Sequence, residues 1–265
     1  MQERSEIASR RRPFGSIGLW ASIFVVFILS LVASAPASLL TPVLSAVAAP
    51  ASASFDGVEG TLWHGVIRDV SIEGAHAGQV SYQFHPVALF KGSAAYGLSA
   101  TGRDIFGKGI ISTNWKGRIS LSHARFTVAL KPFGRGFKVL GAAIGGQATV
   151  DLDVLSVTAA GKCASASGSI WTDILQAPAQ RFDLSAFDLE GPLKCEGEKF
   201  SLALSGDGPS GAADLSVLFS LSGGYEWTAI ASPNDDNVSR ALRLIGFSET
   251  SDGLQMGASG DLLGV

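Results

Sequence analysis

From Thr61 onward, apolar and polar residues alternate with an imperfect period of two, and helical spacing is almost absent. Segments of this kind include "TLWHGVIRDVSI" (61–72), "QVSYQFH" (79–85), "AAYGLSAT" (94–101), "GIISTNW" (109–115) and "RISLSHARFTVAL" (118–130). The pattern continues through "GQATVDLDVLSVTA" (146–159), "CASASGSIW" (163–171), "FDLSAFDLEGPLKC" (182–195) and "KFSLALSG" (199–206). It closes with "AADLSVLFSLSG" (212–223), "YEWTAIAS" (225–232) and "LQMGASGDL" (254–262). Turn residues separate these segments about every eight to twelve positions, the spacing of an antiparallel meander, sandwich or barrel. Parallel βαβ units would need amphipathic helices between the strands, and these are missing. One later segment does read as a helix: "SPNDDNVSRALRLIG" (232–246) opens on Asn and Asp caps and ends at Gly246. Val238, Ala241, Leu242 and Ile245 give it one apolar face, suited to covering an open end of the sheet. A shorter turn at "PVALF" (86–90) is a candidate for the same role.

The other constraint lies at the start of the chain. Residues 17–35, "IGLWASIFVVFILSLVASA", carry no charge, and as a helix they would cover roughly 28 Å at about 1.5 Å per residue. That nearly matches a bilayer core. Arg4 and Arg10–Arg12 precede the segment, so the positive-inside rule keeps the N-terminus cytoplasmic and places the rest on the far side. A cleaved signal peptide is the competing reading, with Ala33-Ser34-Ala35 or Val47-Ala48-Ala49 as the cleavage triplet. Pro36 and Pro50 follow those triplets, and the apolar core is longer than a signal usually has, which favours an uncleaved transmembrane helix. The expected division is a cytoplasmic tail (1–16), the transmembrane helix (17–35), a Pro/Ala/Ser-rich linker (36–54) with a short helix at 39–47, and an exported β-rich domain (55–265).

Charged residues make up 16% of the 265, and the formal net charge is −3. With no long basic run, a nucleic-acid partner is not expected. Cys163 and Cys195 both fall in the exported part, where an even count favours a disulfide. No Cys-x-x-Cys pair offers redox chemistry or a metal site.

Candidate sites are weak. His64, His76, His85 and His123 lack metal-ligand spacing and read as four unrelated strand or turn residues. "GDGPSG" (206–211) has the letters of a phosphate loop, but Pro209 interrupts it and a strand follows, so it reads as a hairpin turn. Asp151 and Asp153 share one strand face, as solvated faces often arrange. No nucleophile elbow, Cys–His pair or acid-rich cation loop is visible, so neither catalysis nor a cofactor is expected. In "FDGVEGTLWHG" (55–65), Gly60 and Gly65 bracket Thr61, Leu62 and Trp63, and the tryptophan reads as a packing anchor where the sheet begins. "GSIW" (168–171) echoes it with Trp171.

The basic tail and anchor, "GVEGTLWHG" (57–65), and "YQFHPVALFKG" (82–92) with Pro86, Ala88, Leu89 and Gly92, stand in a particular order. The cysteine pair and "VSRALRLIGFSETSDGLQMGASGDL" (238–262) follow them. In that order the chain resembles type II secretion system protein N, over nearly its whole length. The resemblance implies a bitopic inner-membrane protein of Gram-negative bacteria and an accessory part in exporting folded proteins across the outer membrane. It transfers no catalytic residues. It implies other bitopic inner-membrane subunits and membrane lipid as partners. The anchor and "GTLW" are also similar to AsmA-like proteins, whose curved sheets form grooves for lipid, although those proteins are far longer. The expected fold is therefore mainly β: an N-terminal transmembrane helix, then a strongly curved antiparallel sheet (open, barrel-like or sandwich-like) with a short C-terminal helix. The Gly-rich middle (131–146) departs from the family pattern and puts the sheet's continuity there in doubt.

Overall fold

A computed structural model describes residues 14–42, 45, 53–131, 145–176, 179, 185–221, 223–244 and 246–261. The first element is helix α1 (Phe14–Ala33), uncharged throughout. Among the described residues no helix is long and apolar enough to cross a membrane. A 3-10 turn (Ala37–Leu40) follows.

The strands are β1 (Ala53–Ser54), β2 (Gly57–Gly60), β3 (His64–Ile72), β4 (Ala75–Phe84), β5 (Ser93–Thr101), β6 (Ile105–Asn114) and β7 (Ile119–Ala129). Then come β8 (Gln147–Val157), β9 (Cys163–Thr172), β10 (Leu189–Glu196), β11 (Lys199–Gly208) and β12 (Gly211–Phe219). The chain continues with β13 (Gly224–Pro233), helix α2 (Asp236–Leu244), β14 (Ser248–Thr250) and β15 (Gly253–Asp261). All are antiparallel members of one sheet, and from β3 to β13 each strand pairs with the next in the chain. Two distinct edges remain, so the described sheet is open, and it is single rather than a sandwich. Short β1 and β2 share the outer edge of β3, while β14 pairs with the start of β15.

Tight turns fix the register. Glu73 and Gly74 both take positive φ (52° and 85°) between β3 and β4, as a two-residue hairpin of the favoured twist requires. Pro209 and Ser210 make the β11–β12 turn, so "GDGPSG" is a hairpin. Because register is held, the alternating pattern becomes two unlike faces. One row of facing partners runs Val58, Ile67, Val80, Ala100, Gly107, Phe126, Val150, Ile170. The adjacent row on the opposite face reads Ser81, Ser99, Lys108, Arg125, Asp151, Ser169.

The best-buried part of the apolar face centres on Ala124, Leu152, Leu193 and Phe200, the last only 1% exposed. Phe200 stacks on Phe219 at 5.2 Å between ring centroids. Cys163 and Cys195 are joined there, with Cα atoms 5.8 Å apart. Near this bridge the sheet rolls: a Cβ on Gly161, in the β8–β9 turn, would lie 3.6 Å from Leu221 Cβ in the β12–β13 turn. A flat sheet would hold strands three places apart at about 14 Å.

Several expectations need correction. The Gly-rich segment does not interrupt the sheet, because β7 and β8 pair directly from Ala129↔Gln147 to Ile119↔Val157. Residues 132–144 themselves lie outside the described residues. The start of the Pro/Ala/Ser-rich segment is docked on the sheet: Ala37 is 1% exposed and Pro36 bridges to Thr61. The helix expected at 39–47 begins earlier, as the 3-10 turn, and most of its second half lies outside the described residues. Of the strand expected at 182–195, β10 begins at Leu189, residues 185–188 are not strand, and residues 182–184 lie outside the described residues. Helix α2 is shorter than its 232–246 window and lies against β13 and β15, at the last strands of the sheet. Asp235 caps it, its Oδ1 accepting from the Asn237 amide at 2.6 Å.

Removing the bridge by Cys163→Ala with Cys195→Ala is expected to lower unfolding free energy by about 3–4 kcal/mol, since it releases a long loop in the unfolded chain. Phe200→Ala should lower it by about 3–5 kcal/mol. Denaturant midpoints test both, and an unchanged midpoint for the cysteine variant would show that the rolled region holds without its covalent tie.

Candidate functional site: the helix-to-sheet junction

The segment that opens the sheet is a hairpin turn, not a strand. Thr61, Leu62 and Trp63 connect β2 to β3, and the glycines at either side permit the tight closure. Gly60 has φ of +105°, and a Cβ there would lie 2.5 Å from the His64 carbonyl oxygen. A Cβ on Gly65 would overlap the Glu59 carbonyl and the Tyr82 hydroxyl. Thr61 holds the turn from inside: its Oγ1 accepts from the amides of Trp63 (3.2 Å) and His64 (3.3 Å). The Thr61 amide donates to the His64 carbonyl at 2.9 Å.

This turn receives the end of α1. The last carbonyls of a helix lack intrahelical donors. Here Trp63 Nε1 donates to the Val32 carbonyl at 3.0 Å, and the Leu62 amide donates to the Ala35 carbonyl at 3.0 Å. Beneath, Trp63 meets Phe84 edge-on at 5.0 Å, and Phe84 lies 5.1 Å from Tyr96. Tyr82 donates from its hydroxyl to the Thr61 carbonyl at 2.7 Å. Burial, and secondarily the neighbouring Tyr96, pushes the Tyr82 phenol above its ordinary pKa; burial does the same for Tyr96.

Of the other residues picked out in the sequence, Pro86, Leu89 and Gly92 sit at the same end of the sheet. Pro86 starts a 3-10 turn (Pro86–Lys91) between β4 and β5, and Gly92 ends it in the left-handed conformation with φ of 71°. Leu89 is exposed on that turn. Trp171 lies on β9, far along the sheet from Trp63. Asp151 pairs with Arg125 across the strands, and Asp153 accepts from Ser167 at 3.2 Å, so both serve cross-strand pairing.

The histidines are less scattered than their spacing suggests. His64, His85 and His123 line one open depression of ≈ 620 Å³ together with Gln83 and Lys108. A β-bulge brings His123 there: its φ is 48° and the β6–β7 register shifts between Lys108 and Ile110. No local motif in the sequence announces that bulge. His76 stands in the β3–β4 hairpin, where its amide donates to Asp104 Oδ2 at 2.9 Å. That bond, above all, lowers the Asp104 pKa. Among the described residues no group of three or more His, Cys, Asp or Glu is placed to hold a metal ion.

Two variants test the junction. Gly65→Ala should destabilise the fold by more than about 2 kcal/mol, because its new methyl meets backbone that cannot yield without opening the hairpin. Tyr82→Phe keeps the ring packing and loses one hydrogen bond, about 1 kcal/mol. The folded-state pKa of Tyr82 is raised, so its contribution is fully present below pH about 10 and is lost as pH rises through the folded value. Tyr82→Phe should therefore reduce the alkaline loss of stability, measured as denaturation midpoint against pH. An identical alkaline profile would assign that loss to other groups.

No curated protein and no solved structure is significantly similar to this chain. A family model does match: the one described as type II secretion system (T2SS), protein N, covers residues 51–256. It takes in the junction turn, every strand from β1 to β14, the cysteine pair and the first four residues of β15. The chain belongs to the type II secretion system protein N family.

Proposed function

We propose that this protein is a non-enzymatic accessory component of the inner-membrane platform of the type II secretion system. Family membership places it in type II secretion. The finer reading rests on the junction, where two hydrogen bonds and the Pro36–Thr61 bridge join the end of α1 to the first turn of the sheet. A helix fixed to a sheet in this way transmits position. In this reading residues 17–35 span the inner membrane, residues 1–16 stay cytoplasmic, and residues 55–265 stand in the periplasm. Residues 36–54 connect the two parts, docked at their start. The bitopic secretion subunits are its partners, engaged through the anchor and by strand addition at the sheet edges beside β1 and β14.

A second reading has an observation of its own. The apolar face continues across the sheet, and Val58, Ile67, Val80, Phe126, Val150 and Ile170 along it are only half-buried. A continuous apolar trough of that kind suits the acyl chains of a lipid, the AsmA-like alternative.

Deletion of the gene separates the two. Loss of secreted-enzyme export, restored by the full chain and not by a variant lacking residues 1–35, is the expected result. Unchanged export with a rise in outer-membrane permeability would sink the secretion role and favour lipid handling.

A further inference from the structure

Large apolar side chains exposed on a folded sheet are informative when they cluster. Apart from α1, several of those described here gather at one rim, the end at which α1 joins the sheet. The turn between β4 and β5 exposes Val87 (66%), Leu89 (48%) and Phe90 (92%). The next turn along that rim, between β6 and β7, exposes Trp115 (84%). Beyond it, the β12–β13 turn exposes Leu221 (55%).

These turns are neighbours in space. A Cβ on Gly92 would lie 2.9 Å from Trp115 Nε1, and one on Gly117 would lie 3.2 Å from Ala159 Cβ in the β8–β9 turn. Gly161, in that same turn, approaches Leu221 in the contact that marks the roll of the sheet. The junction turn belongs to the same rim, since His64 faces Gln83 and Trp63 packs on Phe84 at the end of β4.

Charge is uneven along this rim: the β10–β11 turn carries Glu196 and Glu198, the latter paired with Lys162, whereas the charged residues of the two turns that expose Phe90 and Trp115 are all basic. Residues 74–150 contain nine Lys or Arg and one acidic residue, Asp104, in a chain whose net charge is −3. Asp104 lies at the opposite rim, between β5 and β6, where it also faces Arg103. Lys91, Lys116 and Arg118 sit in or beside the two apolar turns and are exposed. Exposed Trp and Phe beside Lys and Arg is the composition of a segment resting in the headgroup zone of an anionic bilayer.

We infer that this rim is a membrane-contacting surface: the 86–92 and 115–118 turns insert Phe90 and Trp115 at the lipid interface while Lys91, Lys116 and Arg118 meet anionic headgroups. The inference deepens the anchored reading above and rests on it for which bilayer is met. It adds a second attachment that would stop the sheet from swinging about α1. It also fixes the strands at an angle to the membrane, with the apolar trough opening at the lipid surface.

The test uses the full chain, reconstituted in bilayers of phosphatidylethanolamine with phosphatidylglycerol. An environment-sensitive fluorophore is placed by Phe90→Cys, Lys116→Cys, Phe106→Cys or Val26→Cys, the native disulfide being left intact. Phe106 lies at the opposite rim and reports bulk exposure; Val26 reports α1. The expected result is strong quenching of the Phe90 and Lys116 probes by headgroup-level quencher lipids, and of the Val26 probe by quenchers deep in the acyl region, with Phe106 unaffected. Replacing phosphatidylglycerol with phosphatidylcholine, or introducing Lys91→Glu with Arg118→Glu, should reduce the rim quenching severalfold. Rim probes that behave like Phe106 while Val26 is quenched would overturn the rim contact and leave the anchor standing. Rim quenching without Val26 quenching would keep the contact and remove the anchor. Rim quenching indifferent to lipid charge would overturn the assignment to anionic headgroups. Rim probes shielded only after other secretion subunits are added would assign the surface to a protein partner instead.

Discussion

A sheet that is apolar on one side must hide that side, and among the described residues no second sheet exists to cover it. The described architecture follows from how this constraint is met. Successive strands pair in chain order, so the apolar residues of each strand meet those of the next and the apolar rows stay unbroken. Rolling then brings strands that are not neighbours toward each other, which is why Phe200 and Ala124 are almost fully buried within a single layer. Small residues make the roll feasible. At Gly191 a Cβ would overlap the Ala203 carbonyl on the adjacent strand, so no larger residue fits without moving backbone. The disulfide lies in the same region and restrains β9 against the end of β10.

The same constraint governs the two edges. An open sheet leaves unpaired amides and carbonyls on its outermost strands. On one edge β1 and β2 lie end to end along β3, and the start of the linker packs beside β2. On the other, β14 covers only the first residues of β15, and α2 packs nearby. Arg243 of α2 pairs with Glu249 of β14 at 2.9 Å, tying that helix to the edge strand. The edges are shortened and partly covered rather than closed, a geometry that blocks indiscriminate pairing and still leaves β15 able to accept a partner strand.

Much of this was legible in the sequence, and the missed parts share a cause. Long alternating segments such as 147–157 carry their face assignment residue by residue, so their type and limits could be read directly. Helix α2 announced itself through Asp235 and the spacing of Val238, Ala241 and Leu242. Strands β1, β2 and β14, with two to four residues each, are too short to show a period; they exist because a longer neighbour offers them a ladder. The bulges at Asp69 and His123 are likewise set by cross-strand fit, with φ of 50° and 48° that sequence preferences discourage. At the junction the residues Gly60, Trp63 and Gly65 were visible, but their work was not. Trp63 reaches a carbonyl 31 positions earlier, a contact that only the folded hairpin creates.

That contact joins local chemistry to the larger arrangement. Trp63 is shared between two environments: its ring edge packs on Phe84 in the sheet, and its N–H satisfies a carbonyl at the end of α1. Substituting a purely apolar residue would keep much of the packing and leave Val32 dependent on its bond from the Ala35 amide alone, at 3.3 Å. A polar residue without the ring would reverse the loss. Only an amphipathic aromatic side chain meets both demands at one position. The Thr61 carbonyl, held by Tyr82 in the same hairpin, keeps the turn from rotating as a unit. Helix end, turn and the first strands are therefore coupled through a few short bonds, so that displacing α1 would strain β3 and β4 before it moved the rest of the sheet.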